Sequence, residues 1–182
     1  MRRLALSFAF LTALAVPAAA LAAHEVGGDG SLVVKHGAAP WNPTTNDGTP
    51  VVALRITGSV IGEVDSQGKI VIDPGPNPAS TPEVTGAGPA HTVPTDPDGT
   101  SQYWKSGADG FKFRAVGGTF TILIYGADVN LVALGRGWVK LAGMPVGSGT
   151  AATDGRYSLN GADVFKSLPA SQTDRLPITA NS

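Results

Sequence analysis

Apolar residues recur at every second position in short runs along most of this chain, and glycine, Asn-Asp-Gly, Asp-Gly or proline breaks one run from the next. A period of two marks strands that bury one face, and past the N-terminal apolar segment no helical period competes with it. The runs predict strands at Ser31 to Lys35, Val51 to Thr57, Val60 to Val64, Lys69 to Ile72, Phe111 to Val116, Thr119 to Tyr125, Val129 to Leu134, Trp138 to Leu141 and Arg156 to Leu159. The expected fold class is all-β. In two runs both faces are apolar, Ile122 and Ile124 alternating with Leu123 and Tyr125, and Leu131 and Ala133 with Val132 and Leu134. Such strands belong in the middle of a sheet.

Two stretches read as copies. Val52, Leu54 and Ile56 ahead of Gly58 match Phe120, Ile122 and Ile124 ahead of Gly126; Val60 then meets Val129, and Gly68 to Ile72 meets Gly137 to Leu141. A duplicated three-stranded unit predicts a sandwich of duplicated β-meanders, with a short β-solenoid as the alternative. Gly117, Gly118, Gly126, Gly135, Gly137 and Gly143 fall between the runs and read as turns.

Between the copies, Asp73 to Ser101 holds seven prolines and almost no large apolar side chain, which predicts a Pro-rich loop over 73–101. From Ser167 onward the chain is polar and carries Pro169 and Pro177, so 167–182 reads as a flexible C-terminal tail. Leu176 to Ala180 resembles a sortase sorting pentapeptide, but neither an apolar segment nor a basic tail follows it. A single all-β domain over 23–166 is left.

The first residues change the picture of where the chain works. Arg2 and Arg3, the apolar run Leu4 to Val16, and Ala20-Leu21-Ala22 form the basic, apolar and small-residue parts of a signal peptide over 1–22, with Ala23 as the new first residue. The run is too short to span a bilayer, and no later window is long and apolar enough, so no membrane span is expected in the mature chain. The expected location is secreted, extracellular or cell-wall-associated in a bacterial envelope. There is no cysteine, so neither a disulfide nor a thiol-linked lipid is available. Without Arg2 and Arg3 the 13 basic residues fall to 11 against 14 acidic ones. That balance argues against nucleic acid as a partner.

Candidate chemistry is sparse. His24, His36 and His91 share no metal-ligand spacing. Asp96-Pro97-Asp98-Gly99 has two alternate carboxylates of a calcium loop but lacks the distal glutamate, and reads more simply as a turn. No Gly-x-Ser-x-Gly elbow is present, Gly147-Ser148-Gly149 reads as a loop, and no catalytic residue, metal ligand or cofactor can be assigned. The aromatic residues Trp41, Tyr103 and Trp104 sit in or beside loops, where rings either seal the ends of a β-core or stack on sugars. Trp138, beside Val139 in a strand, reads as core or half-buried.

Phe113 to Gly118, Gly135 to Gly143, Asp154 to Gly161 and, more loosely, Gly58 to Ile72 resemble a group of small secreted proteins of high-GC Gram-positive bacteria with no assigned activity. The resemblance implies export and a β fold, and it implies no mechanism. The expectation is therefore a non-catalytic extracellular or wall-associated module whose partner is a cell-wall glycan or an envelope protein. The alternatives are a carbohydrate-binding module using Trp41, Tyr103 and Trp104, and a hydrolase built on two converging carboxylates.

Overall fold

The computed structural model describes residues 29–75, 80–94, 96–97, 99–106, 109–144 and 155–180; the expected signal peptide, His24, Asp98, Asp154 and the expected loop at 147–149 lie outside them. Among the described residues the chain is all-β. Its strands are β1 (Gly30–Gly37), β2 (Val52–Val64), β3 (Gly68–Asp73), β4 (Glu83–Thr85), β5 (His91–Thr92), β6 (Gln102–Lys105), β7 (Phe111–Gly126), β8 (Val129–Leu141), β9 (Arg156–Leu159), β10 (Lys166–Ser167) and β11 (Leu176–Ile178). All join one antiparallel sheet in the order β10-β9-β1-β8-β2-β7-β3-β6-β5, with β11 added to β8 and β4 to β7.

Each predicted strand is present, but three pairs of them are fused. β2, β7 and β8 each run through glycines that were expected to be turns. Gly58 pairs with Gly135 on one side and with Gly118 on the other, so glycines line up across all three long strands. A Cβ at Gly58 would collide with the Leu134 carbonyl oxygen, one at Gly135 with that of Thr57, and one at Gly137 with that of Arg55. With no side chain there, neighbouring backbones approach closely enough for the sheet to bend.

The bend divides the sheet in two. The upper half-sheet holds residues 59–64, 111–116 and 129–134 of the long strands, flanked by β4 and by β1, β9 and β10. The lower half-sheet holds residues 52–57, 119–126 and 136–141, flanked by β11 and by β3, β6 and β5. At the margin opposite the glycines, residues 65–67 lead from the upper end of β2 to the lower end of β3, and residues 127–128 lead from the lower end of β7 to the upper start of β8. Asp65 N–H donates to the Asp128 carbonyl and Ser66 Oγ to that of Ala127, which ties the two connections together. The long strands thus run through both halves of one antiparallel sheet, and buried residues from both halves belong to one core.

Register explains why a single face is buried. Val52, Leu54, Ile56, Val60 and Val64 of β2, and Val129, Leu131, Ala133, Val139 and Leu141 of β8, keep one parity throughout and are 0–3% exposed. β7 has to change parity. Gly117 is an extra residue between Val116, opposite Ser59, and Gly118, opposite Gly58, and its φ of 71° is that of a glycine bulge. Phe111, Phe113 and Ala115 point inward before it, and Phe120, Ile122 and Ile124 after it. Each fully buried Leu or Ile on this face contributes about 1.5–3 kcal/mol.

Three expectations are corrected. The meanders are not formed, because β7 lies between β2 and β3, and β2 between β7 and β8. The segments aligned as copies instead lie side by side, with Val52, Leu54 and Ile56 opposite Ile124, Ile122 and Phe120. The Pro-rich loop contains β4 and β5 and ends at β6, which starts at Gln102. The tail expected to be flexible supplies β11, whose Ile178 is fully buried beside Gly137 and completes the lower half-sheet along β8.

Candidate functional site

The three aromatic residues singled out in the sequence do not form one platform. Tyr103 and Trp104 are adjacent in β6, so they leave opposite faces of the sheet. Trp104 pairs with the buried Ile70 and packs against the core, while Tyr103 pairs with Val71 on the outer face. Trp41 bridges to Gly48 and lines a shallow groove of about 360 Å³ with Pro40, Pro43, Gln67, Ala127 and Met144. Its indole Nε1 is buried there with no hydrogen-bond partner.

Tyr103 has other company. Across the outer face of the lower half-sheet the register runs His91, Tyr103, Val71, Leu123, Ala53, Lys140. The parallel rows set Lys105 beside Lys69 and Tyr125, and Thr121 beside Arg55, Trp138 and Pro177. Three rings on this face carry a cation: Lys69 Nζ lies 4.3 Å from the centre of Tyr125, the Arg175 guanidinium 4.4 Å from Trp138, and Lys105 Nζ 5.6 Å from Tyr103. His91 stacks on Tyr103 at 5.0 Å. Cations over ring faces are attracted by the ring quadrupole, which fixes them in place.

Electrostatics follow from this crowding. Desolvation, then the charge of Lys105, holds the Lys69 ammonium below its ordinary lysine value, and Asp47 of the Trp41 loop opposes that shift. Burial pushes the Tyr125 hydroxyl above the usual tyrosine range. Asp73, at the margin of the face, is engaged by Gly75 N–H at 2.8 Å and Thr100 Oγ1 at 3.2 Å. Arg136 reaches Asp29 at 3.1 Å.

Elsewhere the polar groups serve the backbone. The Asp96 carbonyl accepts from Gly99 N–H and its carboxylate from Ser101 N–H, so the turn reading of this segment holds for its described residues. His36, at a β1 bulge with a φ of 51°, donates from Nδ1 to Asp128 at 2.7 Å and from its backbone to Asn130 at 3.0 Å. Among the described residues no three His, Asp or Glu side chains converge as a metal site, and no helix is long and apolar enough to cross a membrane.

Sequence reading missed Tyr125 as a site residue and read Trp138 as core or half-buried; it is half-buried, on the outer face. Their alternation with Ile124 and Val139 puts them on the second face; what it does not reveal is that nothing among the described strands covers that face. No protein-family model, curated protein or solved structure matches the chain.

Proposed function

We propose that this protein is an exported, non-catalytic module of the extracellular space or cell wall that binds a wall glycan on the outer face of its lower half-sheet. The observation that carries the reading is the set of half-exposed Tyr103, Tyr125 and Trp138, spread over three rows of a broad surface built by β6, β3, β7, β2 and β8. Rigid strands hold aromatic and polar groups in fixed positions better than loops do, as recognition of a repeating polymer requires. The N-terminal signal features and the resemblance to secreted proteins support a role outside the cell.

The test is co-sedimentation of the secreted protein with purified cell walls. Saturable binding is expected, weakened about fivefold or more in Trp138→Ala and unchanged in Trp41→Ala, whose ring lies off this face. Equal binding by both variants would move the site elsewhere, and no binding by the wild type would overturn the reading.

A further inference from the structure

We infer that the ligand of this face is an anionic polysaccharide, gripped through its repeating acid groups by Lys69, Lys105, Arg55, Lys140 and Arg175 rather than stacked on bare rings. The inference rests on the glycan-binding reading above and names the ligand class.

The rings themselves are the first argument. A neutral sugar stacks on an open aromatic face, yet Tyr125 and Trp138 each lie under their own cation at 4.3 and 4.4 Å. What such a ring presents outward is a positioned ammonium or guanidinium.

Charge distribution is the second. The whole chain carries 13 basic and 14 acidic residues. The outer strand positions of the lower half-sheet nevertheless bring together Lys105, Lys69, Arg55, Arg136 and Lys140 with Asp73 as the acid on those strands, itself occupied by Gly75 and Thr100; from neighbouring loops Asp29 pairs with Arg136 and Asp47 acts on Lys69, which leaves Lys105, Arg55 and Lys140 to carry the excess. On the upper half-sheet the middle strands pair basic with acidic residues, Glu83 beside Arg114 and Lys112 beside Glu63, and Lys35 opposite Arg156 lies at its flank.

Placement of the lysines is the third. Lys69 and Lys105 are directly opposite on neighbouring strands, where like charges destabilise a sheet. An acid group seated between them removes that repulsion, so binding releases a cost already present in the free protein. A bilayer surface is a poor occupant: the exposed large apolar side chains among the described residues are Ile61 and Val164, and Ile61 belongs to the upper half-sheet while Val164 follows β9.

The experiment compares polygalacturonate, an uncharged glucan and single-stranded DNA as soluble ligands of the secreted protein. Polygalacturonate is expected to bind, losing roughly tenfold or more in affinity between about 50 and 200 mM salt, with the glucan inert and DNA much weaker. The double variant Lys69→Gln/Lys105→Gln should lose about tenfold with its melting temperature no lower than the wild type's, and Lys69→Arg/Lys105→Arg should retain binding. Salt-independent binding of the glucan would overturn the inference while leaving the glycan-binding reading standing. DNA bound as tightly as polygalacturonate would also overturn it, because the face would then read any polyanion. Failure of all three ligands together with cell walls would overturn both.

Discussion

On the upper half-sheet the outer row runs Glu83, Arg114, Ile61, Val132, Val33; on the lower one it runs Tyr103, Val71, Leu123, Ala53, Lys140. The same three long strands supply the middle of both rows, and their inner positions are interchangeable in kind, Val, Leu, Ile and Phe at or near zero exposure. The outer positions differ because they are mostly partly exposed rather than packed into the core, so each half is freer to vary there. On the upper half Ile61 stands 54% exposed and the Lys112–Glu63 pair, 3.6 Å apart, is a solvated ion pair worth little. On the lower half apolar stems and rings lie beneath cations. Inner residues therefore report the shared requirement for a core, and outer residues report what each half does.

The change that should damage both halves most is Gly135→Ala. Its φ of 144° disfavours a side chain and the new Cβ would meet the Thr57 backbone. A loss of about 3–4 kcal/mol is expected, read as a melting temperature lower by roughly 10 °C, with core strands of both halves losing protection together. Damage confined to the lower half of that strand would show that the two do not share one core. Ile178→Ala should separate them. Truncating this fully buried side chain should cost about 2–4 kcal/mol and raise amide exchange along residues 137–141 ahead of 129–134. Equal exchange in both stretches would contradict the division at the glycines.

The smallest expected effect is electrostatic. Lys69 has a folded pKa below its ordinary 10.5, so the unfolded chain binds its proton more tightly and stability rises as pH climbs from the lowered value to 10.5. Tyr125 has a folded pKa above 10.0, so its contribution is full below 10.0 and is lost as pH passes through the raised value. Lys69→Met should abolish the rising limb and Tyr125→Phe the falling one, each seen by denaturant titration between about pH 8 and 11. Solvent screening keeps both small. An unchanged profile in both variants would place the titrations outside this face.

Much of this was legible in alternation alone. The nine predicted runs lie within β1, β2, β3, β7, β8 and β9, apart from Val51, which leads into β2, because period two survives wherever one face is buried. Glycine was misread for a physical reason: a turn and a bend both need a missing Cβ, and only pairing partners distinguish them. β4, β5, β10 and β11 are two or three residues long, too short to show a period, and they are held by the ladder they join. The candidate site was half legible. Tyr103 was found but coupled to Trp104, although neighbours in a strand must face apart; Tyr125 was hidden by the rule that equates apolar with inside, and Trp138 was read as core or half-buried without being tied to a site.

The position of β2 in the sheet also governs time. A chain emerging N-terminus first releases β1, β2 and β3 early, yet β1 pairs only with β8 and β9, β2 only with β7 and β8, and β3 only with β6 and β7. Until Phe111 appears, the ladders among described strands that can close are the short ones of β6 with β3 and β5. Folding is thereby deferred to the last third of the chain, since distant partners must be brought together before burial rewards them. Most of the sheet must therefore close late and together, once β7 and β8 are both present.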